Sequence, residues 1–259
     1  IHVISLGAGV QSSCMSLMAA AGEITPMPTA AIFADTQDEP ASVYRWLDWL
    51  EPRLPFPVHR VTQGSLSKTA LKMKTTKDGR RFTPTNIPFY TRGADGTLGK
   101  IVLRGCTRDF KLNPIFRKIR NLVGVTGKRT RGIIAIQWVG ISLDEVSRMK
   151  TSRHHWLGVR WPLIDAQITR HDCLRWMEAQ GFPKPPRSAC VYCPFHNNAE
   201  WRRLKTEEPA EFEKAVQFEK AVQFEKANSQ NFASTPFLHR SCKPLGEVDF
   251  STDIEKGQG

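Results

Sequence analysis

Val3-Ile4-Ser5-Leu6-Gly7-Ala8-Gly9-Val10-Gln11-Ser12-Ser13 is the stretch whose reading decides the fold. A short apolar run breaks into a glycine- and serine-rich turn. An apolar-periodic segment follows through Val10, Cys14, Met15, Leu17, Met18 and Ala21. That order reads as strand, tight turn, helix. Gly7 and Gly9 permit positive φ and close backbone approach. Ser12 and Ser13 place hydroxyls beside the unpaired N–H groups of a helix start. Backbone donors and the positive end of the helix dipole there form an anion site, most simply for phosphate. The turn has neither the Gly-Lys-Ser/Thr of a Walker A loop nor the spacing of G-x-G-x-x-G. An ordinary βα turn is the simpler alternative.

Working outward, Ala30-Ala31-Ile32-Phe33-Ala34 reads as a second strand running into Asp35-Thr36-Gln37-Asp38-Glu39-Pro40. Ser42 to Leu50 reads as a helix with Val43, Trp46, Leu47 and Leu50 on one face, and Phe56–Val61 as a third strand. The chain therefore opens βαβαβ, which predicts a parallel α/β sheet whose ligands meet the strands' carboxyl ends. From Ser65 to Gly105 this pattern is lost in a polar, basic, glycine-rich stretch. It reads as a helix near Leu66–Met73, a hairpin around Asp95-Gly96, and a basic flap over an anionic substrate or a solvated insertion. A helix from Pro114 to Val123 and an apolar strand from Ile133 to Val139 follow. The latter runs into Gly140-Ile141-Ser142-Leu143-Asp144-Glu145-Val146-Ser147-Arg148. Trp161–Asp165 reads as a short extended piece. Thr169 caps a helix from Arg170 to Gln180.

The chain has 259 residues and a net charge of +12, with 37 Lys and Arg against 25 Asp and Glu. That balance favours polyanionic partners such as nucleic acid or nucleotides. No run approaches a membrane span and no signal-peptide pattern is present, so a cytoplasmic protein without membrane partners is expected. Pro183, Pro185 and Pro186 mark a linker. The expected organisation is a nucleotide-binding α/β domain over 1–182, with the basic insertion 65–105, and a mostly helical, cysteine-containing region over 183–259. Within the latter, Phe212-Glu213-Lys214-Ala215-Val216-Gln217 recurs at 218–223, and a partial third copy covers 224–227. Six residues advance a helix by about 600°, so the Phe side chains of successive copies form no single stripe. The repeat reads as a tandem duplication lengthening an exposed helix.

Six cysteines are too sparse for a disulfide scaffold in a chain of this length. Cys14 and Cys173 sit in helical patterns and read as structural. Cys190 and Cys193 have the C-x-x-C spacing that brings two thiolates to one metal centre. Cys106 and Cys242, in polar and turn-rich contexts, could complete four ligands. Zinc, an iron–sulfur cluster and a redox dithiol all suit such thiolates, with His196 and His239 as spare ligands for zinc.

Together these blocks resemble the adenine-nucleotide alpha hydrolase superfamily, in its phosphoadenosine phosphosulfate reductase-like branch. Ser5–Ser13 looks like the family's PP-loop, and Phe33-Ala34-Asp35-Thr36 like its second-strand motif. Cys106-Thr107-Arg108-Asp109-Phe110-Lys111-Leu112-Asn113-Pro114 is similar to its Cys-Thr…Lys…Pro block, and Gly140…Asp144-Glu145…Arg148 to the block after its central strand. The resemblance implies a HUP-like, Rossmann-like parallel sheet flanked by helices. It implies ATP, or a PAPS- or APS-like nucleotide, held by Ser5, Gly7, Gly9, Gln11, Ser12 and Ser13, with Phe33, Asp35 and Thr36 at the adenosine and Mg2+ as a companion. Arg108, Lys111, Asp144 and Arg148 would form the reacting end. Relatives of the DNA phosphorothioation enzyme also hold a 4Fe-4S cluster through cysteines, which would fall to Cys106, Cys190, Cys193 and Cys242.

Two departures qualify the match. Gln11 stands where the ATP pyrophosphatases have Asp, and the reductases' C-terminal catalytic Cys-Gly motif is absent. The expected activity is adenylation of a substrate, nucleic acid, for sulfur transfer, with a cysteine desulfurase as a candidate donor. The alternatives are a sulfonucleotide reductase and a non-catalytic nucleotide or nucleic-acid binder with structural zinc.

Overall fold

The structure is a computed structural model that describes residues 1–72, 74–79, 81–82, 87–101, 105–125, 131–227 and 234–251. In chain order its elements are β1 (His2–Leu6), α1 (Val10–Ala20), β2 (Ala30–Asp35), α2 (Ala41–Leu50), β3 (Val58–Thr62), α3 (Leu66–Leu71), β4 (Lys74–Thr75), β5 (Arg81–Phe82), β6 (Phe89–Gly93), β7 (Leu98–Ile101), α4 (Asn113–Leu122), β8 (Ala135–Val139), β9 (Leu157–Arg160), α5 (Pro162–Asp165), α6 (Arg170–Ala179), α7 (Asn198–Glu207), α8 (Pro209–Ala227) and β10 (Ser234–Phe237). The chain forms two compact units. The first comprises Ile1–Asp35, Ser42–Gln63 and Phe110–Ser188; the second comprises Thr36–Ala41, Gly64–Asp109 and Ala189–Gly259.

The first unit is built on a five-stranded sheet in the order β3-β2-β1-β8-β9, with every pairing parallel. The period-two alternation of strand side chains divides the core. Ile4, Leu6, Ala31, Phe33 and Trp138 enter one layer with the apolar faces of α1, α2 and α6. Val3, Ile32, Ala34, Ala135 and Leu157 enter the other with Ile115 and Ile119 of α4. Burial on both faces is why these strands read as unbroken apolar runs rather than alternating ones. Cys14 and Cys173, both fully buried, sit on the facing helices α1 and α6. A thiol–thiol hydrogen bond and burial push the Cys14 thiol up, as befits two packing residues.

Thr169 starts α6 with a full capping box: its hydroxyl accepts from the Asp172 N–H (3.2 Å), and the Asp172 carboxylate accepts from the Thr169 N–H (2.9 Å). Thr169→Ala is expected to cost about 1 kcal/mol, read as a drop of about 2–4 °C in the melting temperature. The stretch 161–165, expected to be extended, instead holds the short helix α5 at Pro162–Asp165. Pro162 sits at its first turn, where a missing N–H costs nothing.

In the second unit, β10, β6 and β7 form an antiparallel sheet. The β6–β7 hairpin turns at Asp95-Gly96, where Gly96 takes φ +81° and the Asp95 carboxylate accepts from the Thr97 N–H. The basic stretch read as an insertion in the first domain thus packs with the C-terminal region, because β6 takes β10 as its partner. Leu66–Leu71 is helical as expected; Met73, Arg80 and Arg104 lie outside the described residues.

The repeat helix α8 is not an exposed extension. Phe212, Ala215, Val216, Phe218, Glu219 and Val222 are all buried. Its three Phe residues do point different ways. Phe212 meets Trp201 and Phe250, Phe218 stacks on Tyr192 (4.2 Å) and faces Phe89, and Phe224 is 68% exposed. Apolar residues spread around a helix suit one contacted on several sides. Among the described residues, no helix is long and apolar enough to cross a membrane.

Candidate functional site

The strand order reverses between β1 and β8. Successive crossovers carry the chain from β1 to β2 to β3 in one direction, and β8 and β9 lie on the other side. In open parallel sheets the crevice beyond the strand ends at such a reversal is where ligands bind. Here it is formed by Gly7-Ala8-Gly9 after β1 and by Gly140-Ile141-Ser142 after β8.

The first loop is tightly wound. Ala8 is buried with φ +58°, the Gly7 N–H donates to Ser12 Oγ (3.1 Å), and the Ser12 hydroxyl donates to the Gly9 carbonyl (3.3 Å). Gly9 is the N-cap of α1 and no side chain caps it. The first-turn amides therefore point out of the helix without a side-chain acceptor, the arrangement that receives an anion. Ser13 does not take part: it is fully buried, and its Oγ accepts from the Trp46 indole N–H (2.8 Å). Ser5 likewise accepts from the Gln137 amide (2.5 Å), inside the sheet.

The second loop presses directly on the first. A Cβ on Gly140 would lie 2.8 Å from Ser12 N and 2.9 Å from Ser12 Cα. Gln11 then bridges the reversal. Its amide nitrogen donates to Glu145 Oε2 (3.1 Å) and Ser142 Oγ (3.4 Å), and its amide oxygen accepts from Arg170 Nη1 (3.0 Å). Glu145 also pairs with Arg148 (2.6 Å), and Asp144 accepts from the Arg170 N–H (2.8 Å). That N–H and the Ser142 hydroxyl hold the Asp144 carboxyl below its usual range. The crevice thus gathers outward amides, two carboxylates and two guanidinium groups. Asp144 and Glu145 offer the hard oxygen ligands that suit Mg2+ shared with phosphate.

Of the residues read from sequence, Gly7, Gly9, Gln11, Ser12, Asp144 and Arg148 come together here. Phe33 is buried in the sheet. Asp35, at the end of β2, accepts from the Tyr44 hydroxyl (2.8 Å). Lys111 lies in the first unit, in the π-helical turn Thr107–Leu112 that leads into α4. Arg108 and Thr36 belong to the second unit. Arg108 is 71% exposed and paired with Asp109, whereas Thr36 is fully buried. Ser142 and Glu145 lay within the polar block quoted after the strand but were given no role of their own, and sequence reasoning missed Arg170 and Ser188, the last lying within van der Waals reach of a Cβ on Gly9. Arg170 did leave a signal: a cation in a helix's first turn opposes the helix dipole, so it needs another reason to be there.

All four candidate metal cysteines fall in the second unit. Cys190 and Cys193 share one tight turn, closed by the Cys193 N–H on the Cys190 carbonyl (3.0 Å). Cys190 Sγ lies 3.5 Å from both Glu39 Oε1 and Thr36 Oγ1. Cys106 is half-buried at the start of its helical turn. Cys242 is not in the open polar setting its neighbours suggested: it is 1% exposed, its thiol faces the Thr91 carbonyl (3.5 Å), and burial pushes its pKa up. His239 has both ring nitrogens engaged, by Ser241 and Asn198, and His196 Nε2 is 2.9 Å from the Cys190 carbonyl. Among the described residues, no three His, Cys, Asp or Glu side chains converge as a metal-ligand set. The Cys190–Cys193 turn alone has the donor chemistry for a thiophilic metal and supplies two of the four ligands a closed site needs.

The five parallel strands flanked by helices, with the order reversal at β1 and β8 and the glycine loop across it, make this an α/β protein compatible with a Rossmann-like fold. No protein-family model matches the chain, and no curated protein matches it either.

Proposed function

We propose that the chain is a nucleotide-binding enzyme of the PP-loop, HUP-type class that adenylates a substrate, nucleic acid, for sulfur transfer or a related modification. The observation that carries this reading is the joining of the uncapped α1 start to Asp144, Glu145, Arg148 and Arg170 through the single side chain of Gln11. Phosphates of ATP would lie against the first-turn amides of α1. Asp144 and Glu145 would hold Mg2+, which when bound offsets phosphate charge. Arg148, with Lys111 as the resemblance implies, would stabilise negative charge as it develops. An oxygen of the substrate attacks the α-phosphorus, the bond to the β-phosphate breaks, and pyrophosphate leaves. The terminal sulfur of a donor persulfide, such as that of a cysteine desulfurase, would then displace AMP, and a second thiol would cleave the resulting S–S bond, leaving sulfur on the substrate and a disulfide on the donor side.

Sulfonucleotide reduction is disfavoured by Cys242, the one plausible nucleophile for it, because a buried thiol with a raised pKa is a poor one. The test is pyrophosphate release from ATP with and without added DNA or RNA. The Ser12→Ala and Lys111→Ala variants are each expected to lose about a hundredfold or more in that release. Unchanged turnover would refute the site. Iron, zinc and sulfide quantification after anaerobic purification tests the cysteine turn: four irons with labile sulfide fit a 4Fe-4S cluster, and one zinc fits a structural site.

A further inference from the structure

The basic stretch 65–105 draws attention in the sequence, yet the greater imbalance lies in the first unit. Between Phe110 and Leu143 the chain carries seven Lys and Arg and no Asp or Glu. Between Val146 and Ile164 it carries four more, with His154 and His155, and again no acid. The structure brings parts of these two stretches together. Phe116 of α4 meets the His154 ring edge-on at 4.8 Å, and both rings contact Trp156. Arg120 of α4 lies over the Trp156 ring (5.4 Å). The loop 149–156 is therefore fixed against α4. Its shape is held further by the Ser152 hydroxyl, which accepts from the His154 N–H (3.0 Å), and by the Leu157 N–H on the His154 carbonyl (3.0 Å).

Arg117, Lys150, Arg153, His154 and His155 are exposed on this surface and Lys118 is half-buried. Lys118, Lys150 and Arg153 make no ion pair among the described residues. A solvated surface built only for solubility mixes both signs, because unopposed like charge repels itself. A fixed, one-signed surface is what a polyanion's phosphates neutralise. Its position is specific as well. Lys150 follows two residues after Arg148, which reaches Gln11 through Glu145, so the basic surface begins within about 7 Å of backbone from the crevice.

We propose that α4 and the 149–155 loop form the track along which the phosphate backbone of a nucleic acid is laid, leading its reacting atom to the β1–β8 crevice. This rests on the nucleic-acid part of the function proposed above. Contacts of this kind hold the backbone in register and read no sequence.

The test is fluorescence anisotropy with a labelled 30-nucleotide DNA single strand, its duplex and the matching RNA, across a range of salt. The full chain is compared with Lys150→Gln/Arg153→Gln and, as a control in the second unit, Lys74→Gln/Lys77→Gln. The first double variant is expected to bind about tenfold more weakly near physiological salt. Its log–log salt slope should be shallower by about 1.4–1.8, the loss of two phosphate contacts. Melting temperature and ATP affinity by calorimetry should stay unchanged, which separates this track from the nucleotide crevice. Unchanged affinity and slope, or a loss seen only in the Lys74/Lys77 variant, would overturn the proposal. So would wild-type binding to phosphatidylcholine vesicles containing 30% phosphatidylserine with none to the three nucleic acids. Failure of wild type to bind ATP, with the salt-dependent loss intact, would overturn the function proposed above and leave the track standing.

Discussion

Gly140→Ala is expected, on the nucleotide-binding function proposed above, to weaken ATP affinity by well over tenfold while the protein still folds. Gly140 has no unusual backbone angle to protect; what it supplies is room. The missing Cβ would lie 2.8 Å from Ser12 N, 2.9 Å from Ser12 Cα and 3.2 Å from the Gln11 carbonyl carbon. These are backbone atoms in the first turn of α1, so relief requires moving the helix start away from the end of β8. Overpacking of this kind costs about 1–3 kcal/mol. The larger consequence is that the first-turn amides shift relative to Ser142 and Glu145, which Gln11 now spans. Gly158→Ala is the matched control. There the new Cβ meets the tip of the Ile136 side chain (2.7 Å), which can turn aside. Calorimetric titration of ATP into both variants, beside thermal melts, checks the expectation. A Gly140→Ala protein that binds ATP as wild type does would show that the β8 turn does not set the position of the α1 start.

The same contact shows what was legible in the sequence. β1, α1, β2 and α2 could be read because β1 and β2 are buried on both faces and largely apolar, and because Gly7 and Gly9 break the pattern where the chain must turn; β3, a half-exposed edge strand, was legible from its Val58 and Val61 and the preceding Phe56. Gly140 was visible as a residue after a strand, but its pressure on Ser12 was not, since nothing local states which turn a distant strand will touch. β9 escaped notice because Leu157-Gly158-Val159-Arg160 is short, lies at the sheet edge and follows a basic loop, so it lacks the apolar run of its neighbours. Trp161–Asp165 misled in the other direction: an apolar segment with a proline suits a strand end and a first helical turn equally well. Within the crevice, Gln11, Asp144 and Arg148 could be named from their blocks. Arg170 stood out only as a cation in a helix's first turn, because its task is set by α6 arriving beside the β8 turn. Cys242 sits among Arg240, Ser241, Lys243 and Pro244, an exposed-looking neighbourhood, yet its own side chain turns inward to the Thr91 carbonyl.

The second large effect concerns the repeat helix. Glu219→Gln is expected to destabilise the second unit by about 2–4 kcal/mol. Glu219 is 2% exposed, and its two carboxylate oxygens accept from the backbone N–H groups of Leu238 (2.7 Å) and Leu245 (2.6 Å). One side chain thus satisfies two buried donors just beyond β10, and Gln223 adds a bond to the Pro236 carbonyl (2.8 Å). The equivalent of Glu219 in the first copy of the repeat, Glu213, is exposed and, among the described residues, bonded only to Gln217 one turn on. Identical hexads therefore have different tasks, because each copy is turned about 120° from the last. An amide at 219 can accept one N–H but presents its own NH2 to the other. Burial raises the Glu219 carboxyl pKa above its ordinary value. Between the unfolded value near 4.3 and the raised folded one, the native state carries a proton that the unfolded state lacks. This contribution to stability is fully present below the unfolded value and is lost as pH rises through the window. The stability gap between wild type and Glu219→Gln should accordingly widen as pH falls from neutrality, while acid effects at Asp144 and Asp172 cancel between the two proteins. Denaturant unfolding of both at several pH values measures the gap; a gap under about 0.5 kcal/mol would mean that Glu219 does not clamp the chain after β10, and one that narrows in acid would mean that burial does not raise its pKa.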